Sequence, residues 1–273
     1  MFSATENETG EASMKIGIIG EGAIGRYVMD QLDRDGRAPV VSLVRPQRLI
    51  GAQDTGMTRV FHVCDLPPGL DLMVDCAGHA ALIEHGAAIL KRGIDLVTVS
   101  LGALADQHVE QSLRQAALTG GAQLHLASGA IGALDCLQAA RVGGLSAVRY
   151  TGRKPPAGWR GSAAQERVDL DMLTTAAAHF EGTARQAARQ YPKNANVAAA
   201  VAIAGLGFER TRVTLIADPD VTANIHEIEA SGAFGRFSFR IEGTALPDNP
   251  RSSALAAMSV ISAIARRRAP VTT

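Results

Sequence analysis

Ile16-Gly17-Ile18-Ile19-Gly20-Glu21-Gly22-Ala23-Ile24-Gly25 is a short apolar run that ends in a G-x-G-x-x-G turn. The residues after it recur at helical spacing, with Ile24, Val28 and Leu32 on one stripe and Gly36 where a helix should stop. In a strand-turn-helix of this kind the first glycine allows the tight bend. The second lets a pyrophosphate approach the backbone, and the third lets helix and strand pack closely. The free N–H groups at the helix start then face the phosphates. Glycine-rich turns occur in many α/β proteins, but here both flanks agree, and Pro39 to Val44 supplies the next buried strand. Gly20, Gly22, Ala23, Ile24 and Gly25 are therefore read as dinucleotide-binding residues.

An acidic residue about twenty positions on normally holds the ribose hydroxyls of NAD. Here the second strand ends at Val44-Arg45-Pro46. Arg45 can pair with a 2′-phosphate or, like Arg48, be a solvated loop charge, so both NAD and NADP stay open as cofactors.

With 273 residues, 47% of them hydrophobic, the chain can bury a sizeable core in one large or two moderate domains. Lys+Arg and Asp+Glu both count 27, so no global field draws it to nucleic acid or an anionic membrane. Cys64, Cys76 and Cys136 are odd in number and widely spaced, which argues against a disulfide framework and for a reducing, cytoplasmic setting. No His/Cys/Asp/Glu cluster has metal-ligand spacing, and no metal is expected. Residues 1–13 are polar and acidic and read as a flexible leader rather than a signal peptide.

From Lys15 to about Leu126, apolar runs alternate with helical patterns, which predicts an α/β fold with an N-terminal Rossmann domain, a doubly wound parallel sheet, over residues 14–128. The predicted strands are Ile16 to Ile19, Val40 to Val44, Leu72 to Cys76, Leu96 to Ser100 and Leu124 to Ala127. Ala81 to Lys91 and Asp106 to Leu118 read as helices. Ligands bind at the carboxyl ends of such strands, which brings in Ala77-Gly78-His79, Leu101-Gly102 and Ser128-Gly129-Ala130.

Residues 129–251 read as a second, α+β substrate domain with a mostly antiparallel, open-faced sheet. Its predicted strands lie near Val148 to Gly152, then at Arg212 to Ala217, Val221 to Ala230 and Arg236 to Glu242, with an alanine-rich helical stretch after the first. Phe237, Phe239 and Ile241 alternate with polar residues, which marks one buried and one wet face. The last predicted helix, 252–268, carries Leu255, Met258, Ile261 and Ile264 on a stripe and is expected to pack back on the first domain.

Four stretches resemble the L-aspartate dehydrogenases, relatives of homoserine dehydrogenase and dihydrodipicolinate reductase. They are Ile18 to Gly25, Ser128-Gly129-Ala130-Ile131-Gly132-Ala133-Leu134-Asp135, Lys193-Asn194-Ala195-Asn196-Val197-Ala198-Ala199, and Asn224-Ile225-His226-Glu227-Ile228. The likeness extends over nearly all of residues 14 to 268. It implies oxidation of L-aspartate by NAD or NADP to iminoaspartate, which hydrolyses to oxaloacetate and ammonia or feeds pyridine-nucleotide synthesis. It also implies that His226 is catalytic and that Ala130 and Asn196 contact the cofactor.

Oxidising an amino acid at Cα needs a neutral amine, and hydrolysing the imine needs activated water. A histidine, with an unperturbed pKa of roughly 6.5, can serve both steps. A histidine inside a strand is otherwise a hydrogen-bonded structural residue; the resemblance selects His226 for the chemistry, with His79 in reserve at the substrate site. Aspartate brings two carboxylates, and Arg153-Lys154, with Arg160 behind them, are the candidate grips unless they form a solvated turn before Pro155-Pro156. Dehydrogenation of another small amino acid or imine is the nearest rival activity, and an NAD(H)-sensing module without turnover is the rival from another class. A homodimer is expected on base rates.

Overall fold

Four consecutive apolar residues need cover on both faces of a sheet. β1 (Ile16–Ile19) obtains it by lying at the sheet's centre, buried at every position. The computed structural model describes residues 14–46, 57–246, 249–267 and 269–271. The expected leader 1–13 and Arg48 fall outside them. After β1 come α1 (Ala23–Arg34), β2 (Val41–Leu43), β3 (Thr58–Val60), β4 (Leu72–Asp75), α2 (His79–Lys91), β5 (Asp95–Thr98), α3 (Gln107–Gly120) and β6 (Leu124–Leu126). The strands form one parallel sheet in the order β3-β2-β1-β4-β5-β6, with the order reversing beside β1. This is the predicted Rossmann arrangement. Asp106 caps α3 by accepting from the His108 N–H, and Gly121, at φ 66°, ends it.

Two sequence expectations need adjustment in this sheet. β3 carries no apolar run and was not predicted. β4 and β5 stop at Asp75 and Thr98, before the predicted Cys76 and Ser100, because from those residues on the chain turns into loops fastened to the Asp75 carboxylate.

The chain continues through α4 (Leu134–Gly143), β7 (Leu145–Lys154), β8 (Ala177–Thr183), α5 (Ala184–Gln190), α6 (Asn196–Ala204), β9 (Arg212–Ala217), β10 (Asn224–Gly232) and β11 (Gly235–Gly243). The second sheet runs β11-β10-β7-β9-β8, with only β7 and β9 parallel. β9 and β10 are neighbours in sequence, yet β7 lies between them. β8 falls inside the stretch predicted as helical. A register irregularity between Ala178 and Phe180 buries the consecutive His179 and Phe180, which erases the alternation that would reveal a strand.

Val148, Tyr150, Val213, Leu215, Ile228 and Ala230 form the covered face of this sheet, packed against the buried residues of α6. The other face carries Arg149, Glu229 and Arg240 and is open, as the alternation in β11 predicted.

β12 (Ala245–Leu246) and β13 (Asn249–Ser253) lead into α7 (Ala254–Arg266), which lies against α1. The buried residues of α7 are Ala257, Ser259, Val260, Ala263 and Ile264; of the predicted stripe, Ile264 is buried in the cluster of Val28 and Leu32, Ile261 is partly buried against it, and Met258 is exposed. Among the described residues no helix is long and apolar enough to cross a membrane.

Candidate active site

The turn between β1 and α1 has the shape its glycines predict. Gly20 adopts φ 85°, and a Cβ there would lie 2.6 Å from Ala77 Cβ; a Cβ at Gly25 would lie 2.1 Å from the Gly20 carbonyl oxygen. The third glycine thus sets helix against strand at a spacing no other residue permits. Around Gly22 nothing lies within 4 Å of a would-be Cβ, so the surface there is open to a ligand. No side chain caps α1, and its first turn has no acid. An uncapped, unopposed N-terminus accepts an anion, and a dinucleotide pyrophosphate fits it. Glu21, inside the turn, is a carboxylate that would repel phosphate. Its two oxygens accept from Arg59 Nε at 2.8 Å and Nη2 at 3.2 Å, which offsets the charge.

Asp75, at the end of β4, is fully buried. Its Oδ2 accepts from Thr98 Oγ1 and Ser100 Oγ, both at 2.7 Å, and Oδ1 accepts from the Ala77 N–H at 3.0 Å. Burial pushes its pKa up, against the pull of these bonds. The carboxylate ties the β4 loop to the β5 loop and so shapes Ala77-Gly78, where Gly78, at φ 95°, begins α2 without a capping side chain. Arg45 follows β2 as an exposed residue with no acidic residue at the strand end.

Asn196 opens α6, and its side chain does not cap that helix. Its Oδ1 accepts from the Gly102 N–H at 2.9 Å and lies 2.7 Å from His79 Nε2. Both bonds reach across to the first lobe, and they leave the Asn196 Nδ2 amide without a partner among the described residues. His79 is thereby committed at Nε2, and its ring rests on Gly102, where a Cβ would lie 2.5 Å from His79 Cε1. His79, expected at the substrate site, thus has one ring nitrogen turned to the seam between the two lobes. Ala130 is buried in the loop after β6. Its neighbour Gly129 donates its N–H to Ser259 Oγ of α7 at 3.0 Å, and Ala133 sits at φ 57°, a left-handed conformation that strains a residue with a Cβ.

His226 lies on the covered face of β10, opposite Gly152 of β7, with 5% of its surface exposed. Its Nδ1 is 2.8 Å from Tyr150 Oη, and the two rings stack. Burial, with the Lys154 charge nearby, lowers its pKa from 6.5 to about 4, so the imidazole is neutral near pH 7. Burial also pushes the Tyr150 phenol well above its usual range.

Successive residues of a strand point to opposite faces, so Arg153 and Lys154 cannot act as a pair. Lys154 shares the face of Tyr150, Gly152 and His226. Arg153 lies on the open face and donates to Asp218 at 2.5 Å, which removes it from the expected carboxylate grip; Arg160 is held by Asp171. Lys154 Nζ donates to Asn194 Oδ1 at 2.6 Å, lies 5.1 Å from the Trp159 ring centroid, and has no carboxylate partner among the described residues. Burial lowers its pKa to about 8. It lines a cavity of about 830 Å³ together with Asn194 and Asn224, the latter one pleat from His226 on the same face.

Sequence reasoning missed Asp75 and Tyr150. A lone acid ending the apolar run Leu72-Met73-Val74 was a usable signal for the first. Tyr150 had none, since its contact spans 76 residues and depends on strand register.

A parallel sheet whose glycine turn opens an uncapped helix, joined across a seam to a lobe that presents a neutral imidazole, is the architecture of a dinucleotide-dependent oxidoreductase. Residues 20–127 match the NAD-binding domain of homoserine dehydrogenase, and residues 135–267 match the C-terminal domain of aspartate dehydrogenase. An L-aspartate dehydrogenase of Ruegeria pomeroyi is 52% identical over 94% of this chain and 94% of its own. One from Pseudomonas aeruginosa is 45% identical over 92% of this chain and 96% of its own. The crystal structure of aspartate dehydrogenase from Thermotoga maritima superposes with a TM-score of 0.77 at 26% identity, covering 95% of this chain and 99% of that one. The chain belongs to the aspartate dehydrogenase family.

Two predictions follow from this geometry. Gly22→Ala fits its extended backbone and open surroundings, so it should keep the wild-type melting temperature while weakening NAD(P)H binding measured by fluorescence titration. Gly25→Ala should lower both, with a stability loss of about 1–3 kcal/mol from forced separation of helix and strand. Equal melting temperatures for the two variants would contradict this account. The second prediction concerns pH. His179, whose Nδ1 meets Tyr191 Oη at 3.0 Å and whose Nε2 is buried without a partner, also has its pKa lowered to about 4. Below 6.5 the unfolded chain binds protons that the folded histidines refuse, so their contribution is complete above that pH and is lost as pH falls towards 4. His179→Gln should flatten the fall of melting temperature between pH 6.5 and 4; an unchanged slope would exclude His179 as a contributor.

Proposed function

We propose that the protein is an NAD(P)-dependent L-aspartate dehydrogenase that converts aspartate and water to oxaloacetate and ammonia through iminoaspartate, reversibly. The observation that carries the reading is the presence, on one face of the second sheet, of a neutral buried imidazole and a buried ammonium that lacks a carboxylate partner among the described residues. A bound nicotinamide supplies the acceptor for the hydride that leaves Cα of the amino acid. Gly20, Gly22, Ala23, Ile24 and Gly25 hold the pyrophosphate at the start of α1, and Ala77 and Gly78 border it from the next loop. Arg45 stands at the ribose edge, where it suits a 2′-phosphate and leaves NAD unopposed. Ala130 would back the nicotinamide, and the Asn196 Nδ2 amide, its oxygen already engaged, would donate to the carboxamide.

Lys154 grips a substrate carboxylate, which gives its buried charge the partner it otherwise lacks. His226 takes the amine proton before oxidation and passes it to solvent; neutral again, it takes a proton from the water that attacks the imine and gives that proton to the departing ammonia. A group neutral at pH 7 can accept that first proton, and such positioned acid–base catalysis is worth on the order of 10²–10⁴ in rate. We read the protein as a cytoplasmic homodimer, on its free cysteines and on the commonest symmetry of soluble enzymes.

Aspartate-dependent reduction of NAD and NADP, set beside glutamate, alanine and homoserine, tests substrate and cofactor together. Aspartate should turn over fastest, and preference for homoserine would reject the assignment. His226→Ala should cut aspartate oxidation at least about a hundredfold and leave cofactor affinity nearly unchanged; near-normal turnover would remove it from the mechanism. Lys154 should impose a pH limit on ligand binding. Its charge is lost as pH rises through about 8, so the affinity of the inert dicarboxylate succinate should fall about tenfold per unit above that pH. Lys154→Met should bind succinate weakly with no such dependence, and a wild-type affinity that is flat from pH 7 to 10 would take Lys154 out of the substrate site.

A further inference from the structure

The groups around His226 are set by the pleat of β7. Tyr150, Gly152 and Lys154 occupy alternate positions on one face of that strand, and Gly152 is the residue directly opposite His226. A Cβ on Gly152 would lie 2.7 Å from the Tyr150 hydroxyl oxygen and 3.2 Å from Leu215 Cδ2. The missing side chain is therefore the space through which the phenol leans along its own strand to reach the imidazole. Gly152 has ordinary strand geometry and is not among the positive-φ glycines, so its backbone does not require glycine; the lean of Tyr150 does.

The phenol meets Nδ1 and not Nε2, so one ring nitrogen is held by the protein and the other remains for the substrate. Tyr150 is 2% exposed, and its hydroxyl has no other partner among the described residues. A carboxylate in its place would add a charge that favours the cationic imidazole and lifts its pKa. A neutral phenol orients the ring without that effect and leaves the imidazole uncharged between turnovers.

We propose that Tyr150 is the positioning residue of the reaction: its oxygen accepts the Nδ1–H of His226, which fixes the ring plane and leaves the Nε2 lone pair to exchange the proton with the substrate nitrogen, and Gly152 is the space that makes this contact possible. The proposal rests on the reading of His226 as the acid–base group. When Nε2 takes a proton, the Nδ1–H bond to Tyr150 persists, so the phenol partners both protonation states and does not itself ionise.

The test compares Tyr150→Phe, Gly152→Ala and the double variant. Tyr150→Phe keeps the ring and its packing. Gly152→Ala keeps every polar group and crowds the hydroxyl most, with a smaller adjustment of Leu215. Each should lower kcat for aspartate about tenfold to a hundredfold, by analogy with the loss of the outer partner of a metal-binding histidine, with unchanged KM for the cofactor. The double variant should lose no more than either single one, since both remove the same bond. Nitrogen-15 NMR of labelled histidine should show His226 protonated at Nδ1 in the wild type and distributed between both nitrogens in Tyr150→Phe. Additive losses, a wild-type ring protonated at Nε2, or an unchanged kcat in Tyr150→Phe would each overturn the proposal. A fully active His226→Ala would instead overturn the role of His226, so the two failures are told apart.

Discussion

The register of β10 against β7 is the constraint on which the second lobe and its candidate site depend. Pairing His226 with Gly152 puts the imidazole on the same face as Tyr150, Lys154 and Asn224, under the helical cover and beside the cavity. A slip of one residue would turn the imidazole onto the open face, among Arg149, Glu229 and Arg240, and would carry Ile228 and Ala230 out of the core with it. The apolar residues that build the lobe therefore enforce the position of its chemistry. Stability and function share a single geometric requirement here, and the flanking pairs Ile228 with Tyr150 and Ala230 with Val148 hold it.

The first lobe rests on a comparable economy of groups. One carboxylate, Asp75, organises two loops at the carboxyl edge of the sheet through two hydroxyls and a backbone amide. An acid so deeply buried is tolerable because its oxygens are satisfied by directed donors. The ion pair of Glu21 with Arg59 acts on the charge of the same region, keeping a carboxylate inside the phosphate turn from opposing an anion.

Much of the fold was legible in the chain because parallel strands buried on both faces read as apolar runs, and the strand-turn-helix around Gly20 to Gly25 follows from the chemistry of its three glycines. The α+β character of the second lobe was legible from the alternation in β11. What escaped depended on partners distant in sequence. The irregularity in β8 hid a strand, and β3 offered no apolar run to read. In the site, adjacency misled: Arg153-Lys154 looks like one basic grip in a written sequence, yet the pleat sends the two charges to opposite sides of the sheet. His79 sits where a ligand contact is expected, but its ring nitrogen is engaged by Asn196, a residue 117 positions away.

That shared oxygen of Asn196 has a mechanical consequence. A backbone amide of the first lobe and an imidazole on α2 converge on a single atom of α6, so prising the halves apart would bare both at once. The oxygen thus joins the two halves at one point.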